Sequence, residues 1–272
     1  MTKQDGKKII DKHWGQYEIA EKKVYFWHIG DLKFWCKRTK EEIQIASLRV
    51  NSREEQSSYS KEPPEDINWS RWALKQKQTI IKLSPQFPDR PVVVKPESPF
   101  RISNGAEARI YIRVPLWVRI ELAAKLSATL LEIPIVILSN TWFGNFFEGE
   151  LCYWISTGAR RQIDPDPARP YLAISPNQLI NKSEDDLLVE KICLRVANLS
   201  LFSDGKQLWS DETKVFYKGV NEVSQVKVGG VPPSEVPAAK LISSPRIPTK
   251  KGLAAITFAT LKDLPGLGIP IN

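Results

Sequence analysis

Short runs in which apolar and polar residues alternate, punctuated by glycine, proline and asparagine, dominate this chain. A period of two places successive side chains on opposite faces of a pleated strand, so these runs predict half-buried β-strands. The cleanest alternation spans 106–121, where Ile110, Ile112, Val114, Leu116, Val118 and Ile120 take the even positions. Arg109, Tyr111, Arg113, Trp117 and Arg119 take odd ones. The spacing predicts one strand with an apolar core face, interrupted or bulged near Pro115. A helix across Arg119–Leu131 competes, because Ala123, Ala124, Leu126 and Leu130 also fit a helical period. The strand is the preferred reading, with Leu130–Leu138 as its partner and Pro134 marking an edge or bulge.

The same logic extends along the chain. Tyr17–Ile29 ends at Gly30-Asp31, a turn signal, and Leu32–Arg38 then alternates, with Leu32, Phe34 and Cys36 on one side. Glu42–Ala46 returns as the second arm of a hairpin. Residues 51–67 are polar, contain Pro63-Pro64 and predict a long surface loop. Strands resume from Trp69 to Leu83, and Pro91, Pro96 and Pro99 keep 92–102 extended.

Aromatics crowd around Gly144 and Gly149, predicting a hairpin into a strand at Glu150–Thr157. Trp142, Phe143, Phe146 and Phe147 are expected in core or interdomain packing, and form a protein-contact hot spot if exposed. Gly158–Pro170 carries three prolines and predicts a domain boundary. Beyond it, Leu188–Val196 predicts a strand with Ile192, Leu194 and Val196 on one side and Lys191, Cys193 and Arg195 opposite. Ser203-Asp-Gly-Lys206 predicts a hairpin turn. Gly229-Gly230 and Pro232-Pro233 open a linker running to about Thr249, and Lys251–Leu264 predicts a helix ended by Pro265 and Gly266. The fold class expected is mainly β and β-sandwich-like, with two sheet-rich lobes plus a short C-terminal helix. The division expected is 1–162 for an N-terminal β lobe, 163–230 for a C-terminal β-sandwich lobe, and 231–272 for a Pro-rich linker and helix.

Composition adds a charge bias. Lys plus Arg number 39 against 31 Asp plus Glu, a net charge of +8 over 272 residues. Such an excess favours acidic partners, although here the bases are interspersed with acids as on a solvated surface. Cys36, Cys152 and Cys193 are odd in number and far apart, which suggests neither a disulfide framework nor a structural zinc site. The first residues hold no apolar stretch resembling a secretory signal. The most apolar region, Ile120–Leu138, is broken by Glu121, Lys125, Glu132 and Pro134, so no membrane span is expected. The cytoplasm is the expected compartment.

The equipment of catalysis is sparse. His13 and His28 are the only histidines, and nucleophile-elbow, zinc-protease, phosphate-loop and dinucleotide motifs are absent. A Cys36–His28 pair is conceivable if their strands are neighbours. No catalytic residue, metal ligand or cofactor is nominated. Binding is the better expectation, by protein–protein contact through an open sheet edge, the basic-aromatic face or the tail helix. The odd face of Arg109, Tyr111, Arg113, Trp117 and Arg119 combines planar cations with aromatics. It suits an anionic polymer such as an acidic polysaccharide or single-stranded nucleic acid. The competing reading is that these side chains cover the outer face of a sandwich. A hydrolase ranks third.

Seven segments carry a further signal: Trp14-Gly-Gln-Tyr, Arg90-Pro-Val-Val-Val-Lys-Pro, Arg113-Val-Pro-Leu-Trp-Val, Ser139-Asn-Thr-Trp-Phe-Gly, Gly149-Glu-Leu-Cys-Tyr, Cys193-Leu-Arg-Val and Gly205-Lys-Gln-Leu-Trp. Together they resemble the prokaryotic domain-of-unknown-function family numbered four-three-two, over most of the chain. The resemblance transfers no catalytic residue. It implies a soluble prokaryotic protein, and an association with neighbouring mechanosensitive-channel proteins puts a membrane channel component among the expected partners.

Overall fold

The computed structural model describes residues 13–50, 61–74, 79–123, 128–147, 149–163, 169–219, 224–248 and 253–255. Among these the chain forms β1 (Gly15–Glu18), β2 (Val24–Ile29), β3 (Leu32–Arg38), β4 (Glu42–Arg49), β5 (Ser70–Ala73), β6 (Ile80–Gln86), β7 (Val92–Pro96), β8 (Phe100–Ile102), β9 (Glu107–Pro115), β10 (Trp117–Leu122) and β11 (Ala128–Pro134). It continues with β12 (Ser139–Phe143), β13 (Glu150–Arg160), β14 (Leu172–Asn181), β15 (Leu187–Val189), β16 (Ile192–Leu194), β17 (Leu201–Ser203), β18 (Leu208–Ser210), β19 (Thr213–Tyr217), β20 (Ser224–Val228), β21 (Lys240–Ser243) and β22 (Leu253–Ala255). A 3-10 turn at Val196–Asn198 is the only helical element among the described residues. The protein is mainly β, as the alternation requires.

Two compact units emerge. One gathers the described residues of Met1–Gln86, Leu116–Ile137 and Pro167–Tyr171; the other gathers those of Phe87–Pro115, Leu138–Asp166 and Leu172–Asn272. This grouping interleaves segments that the linear division 1–162, 163–230 and 231–272 keeps apart.

The first unit holds two four-stranded sheets, ordered β1-β6-β10-β11 and β2-β3-β4-β5. Gly30 and Asp31 form the two-residue turn of the β2–β3 hairpin, with Ile29 opposite Leu32. Gly30 has φ +57°, and a Cβ there would meet Ile135 and Tyr171 at 3.0 Å, so both conformation and space select glycine. Aromatics join the two sheets. Trp27 stacks on Phe34 at 5.1 Å and meets Tyr17 of the other sheet edge-on at 5.2 Å. The Arg49 guanidinium on β4 donates to the carbonyls of Pro134 (2.5 Å) and Ile135 (3.0 Å), satisfying backbone acceptors at the end of β11.

The second unit is built on one large sheet with the path β16-β7-β13-β9-β14-β18-β17-β21. Strand β14 lies at its centre. It pairs antiparallel with β9 from Leu172↔Pro115 to Ile180↔Glu107, and parallel with both β18 and β19. Residues Leu172–Asn177 are all buried, as expected of a strand covered on both faces. On β9 the predicted alternation holds: Ala108, Ile110, Ile112 and Val114 are buried, while Arg109, Tyr111 and Arg113 are half-buried. The same pattern continues on β10, where Val118, Ile120 and Leu122 are buried.

Four expectations need correction. The strand over 106–121 is two strands, β9 and β10, which belong to different units. Pro115 ends the first, and Leu116 instead donates its N–H to the Tyr171 carbonyl at 2.9 Å. Leu188–Val196 is also divided, into β15, β16 and the 3-10 turn, and Ile192, Cys193 and Leu194 are all buried. Both faces of β16 are covered, and Lys191 beside it is buried as well. The linker expected from 231 contains a strand, since β21 pairs with β17. In place of a helix, Leu253–Ala255 is β22, paired with β20 through Val226↔Leu253, so pairing along a sheet edge overrides local helix propensity. The rest of the expected helix, and residues 51–60 of the expected loop, lie outside the described residues.

Candidate functional site

The five residues of the basic-aromatic face fall on β9 (Arg109, Tyr111, Arg113) and β10 (Trp117, Arg119), one strand in each unit. Arg109 is the hub of a polar network within the second unit. Its guanidinium pairs with Glu212 and with Glu235, at 2.8 Å to the latter, and Tyr111 donates its hydroxyl to Glu235 at 2.7 Å. Burial alone would lower the Arg109 pKa, but the hydrogen bonds to the two carboxylates hold it above its ordinary value. Burial also works against the Glu235 carboxylate. Hydrogen bonds from Tyr111, from its own backbone and from Arg109 outweigh it and keep its pKa below the usual range. On β10, Arg119 pairs with Glu132 of β11 at 2.6 Å. Arg109 and Arg119 are thus matched by carboxylates of the chain itself. Arg113 is half-buried, and its carbonyl accepts from the Thr157 hydroxyl at 2.8 Å.

The aromatic hairpin has a different character. β12 and β13 pair from Ser139↔Trp154 to Phe143↔Glu150, and residues 144–149 connect them. Asn145 organises that turn. Its carbonyl accepts from Trp142 Nε1 at 2.9 Å and from the Gly149 N–H at 2.9 Å, and its side-chain oxygen accepts from the Phe147 N–H at 3.0 Å. A Cβ on Gly149 would overlap the Trp142 indole and lie 2.6 Å from the Asn145 carbonyl, so the packing of Trp142 requires glycine there. Phe143 points inward and is buried. Phe146 and Phe147 are 73% and 92% exposed, edge-to-face at 5.4 Å, with Trp142 and Leu151 also exposed beside them.

Beneath this hairpin, Phe143 packs with Val93, Cys152 and Cys193 in a buried cluster that Trp154 covers. The sulfurs of Cys152 (β13) and Cys193 (β16) are 3.9 Å apart. The Cys193 thiol is pushed well up by its hydrogen bond with Cys152 and by burial. Glu150 stands at the rim of the cluster, paired with Arg195.

The family model for proteins of unknown function (DUF432) matches residues 13–262. The chain belongs to this family. No curated protein and no solved structure matches it.

The catalytic pairing weighed for this DUF432 chain is not assembled. Cys36 lies opposite Tyr25 on β2, and His28 lies opposite Lys33, so the two alternate onto opposite faces of the hairpin. Burial raises the Cys36 pKa to about 12. Burial and the nearby Lys33 charge lower that of His28. Neither the exposure of Phe146 and Phe147 nor the Cys152–Cys193 approach was legible in the sequence. The hairpin itself was, from its aromatics and turn glycines. The thiols lie 41 positions apart and meet only through the strand order of the sheet. Among the described residues no helix is long and apolar enough to cross a membrane.

Proposed function

We propose that this protein is a non-enzymatic interaction module of the cytoplasm that docks onto another protein through the aromatic turn joining β12 and β13. The observation that carries this reading is the ordered exposure of Phe146 and Phe147. The Asn145 hydrogen bonds hold the turn in shape, yet both rings face water. Burying each ring stabilises a complex by about 1.5–3 kcal/mol, and a turn already in its final shape loses little conformational entropy on binding. Large aromatics set in this way are the usual anchors of protein interfaces. The partner this chemistry selects is a folded protein with an apolar cleft. Three free, buried cysteines fit a reducing compartment.

An anionic polymer is the weaker alternative, because the carboxylates of Glu212, Glu235 and Glu132 already offset Arg109 and Arg119. Capture from native lysate, with nuclease and high salt, separates the two. The F146S/F147S double variant is expected to weaken recovery of a specific protein by roughly 100-fold, and R113A/W117A to leave it unchanged. Equal recovery with F146S/F147S would defeat the proposal. So would a capture containing nucleic acid alone that salt removes.

A further inference from the structure

We infer that Cys152, Cys193 and Glu150 form a binding site for a thiophilic divalent metal ion of the Zn2+ class. Their donor atoms all lie within 4.8 Å of one another. The two sulfurs, 3.9 Å apart, match the edge of a metal tetrahedron. At a metal–sulfur bond of about 2.3 Å, two thiolates at tetrahedral angles stand about 3.8 Å apart.

The sheet explains how the thiols come together. β13 and β16 flank β7 on either side, with Cys193 opposite Val93, Val93 opposite Trp154, and Cys152 two residues before Trp154 on the same face. Strand β7 lies between the two strands, so the thiols meet over it rather than across a paired neighbour, and both are free. An ion spans the gap without moving either strand.

The surroundings fit a metal centre. Phe143, Val93 and Trp154 wall the thiols from solvent, while the half-exposed Glu150 carboxylate gives an ion a way in. Arg195 pairs with one Glu150 oxygen, Oε1, and leaves the second for a metal. Charge also closes. Two thiolates and a carboxylate carry three negative charges, which a divalent ion and the Arg195 guanidinium cancel, as a buried site demands. The site stands independently of what the aromatic turn binds.

The test is Co2+ titration of the reduced full-length chain, followed by absorption spectroscopy. We expect thiolate-to-cobalt charge-transfer absorption and the visible bands of tetrahedral Co2+, saturating at one ion per chain and bleached by Zn2+. C152S and C193S should abolish the charge-transfer absorption, and C36S should keep it. E150Q should retain it while weakening affinity at least tenfold. Absence of charge-transfer absorption in the native chain, or its persistence in C152S or C193S, would overturn the site. Should a serine variant fail to fold, E150Q decides: unchanged affinity overturns the three-donor site.

Discussion

Arg109 shows how a residue's sequence position and its role separate. Its place on the outward side of an alternating strand was plain from the sequence, and β9 puts it there. Its partners were not, because Glu212 and Glu235 lie 103 and 126 positions away and reach it only once β14, β19 and the segment after β20 are in place. All three side chains are mostly shielded from water, so these charge-assisted bonds keep much of their strength. R109A should therefore lower the free energy of unfolding by about 2–3 kcal/mol in denaturant titration. A loss below ~0.5 kcal/mol would reduce the network to ordinary surface pairing. The pH dependence has a definite sign. Glu235 has a depressed pKa when folded, so its contribution is complete above the ordinary carboxylate range of about 4.3 and is lost as pH falls through the folded value. R109A should flatten that acid limb. Asp211 works in the opposite sense. Burial raises its pKa to about 6, despite N–H bonds from Ser200 and Gly230, so its contribution is present below about 3.9 and fades as pH rises through 6.

At the scale of elements, most strands were readable because period-two alternation survives wherever one face is buried and the other half-wet. β9 and β10 are the clear cases. The reading failed where that asymmetry vanishes. β16 is buried on both faces, so the two-sided pattern read over Leu188–Val196 does not separate a core face from an outer one there. β21 and β22 are short, and sheet pairing selects them where local composition does not. The β12–β13 hairpin was legible as a hairpin, but the direction of each aromatic depended on turn geometry that composition does not encode. Gly149 makes this geometry testable. G149A should force the Trp142 indole off the Asn145 carbonyl and destabilise the fold by about 1–3 kcal/mol, visible as a lower melting temperature with a shifted tryptophan emission. Unchanged emission and melting would mean that the turn is not held as described.

At the scale of the molecule, the chain crosses between its two units several times, so neither unit is a continuous stretch of sequence. Domain reading by composition looks for a single proline-rich seam and has no signal for such interleaving. The net charge of +8 suggested an anionic ligand, yet the cations singled out for that role are largely engaged with the chain's own carboxylates. Among the described residues of the second unit, the most exposed large apolar side chains are Phe146 and Phe147 at the tip of the hairpin. Site-specific photo-crosslinking in cells tests that assignment most directly, with a benzophenone amino acid in place of Phe147 and, as control, in place of the exposed Ile137. A discrete protein adduct is expected from position 147 and not from position 137. Identical adducts at both positions, or none at 147, would contradict it.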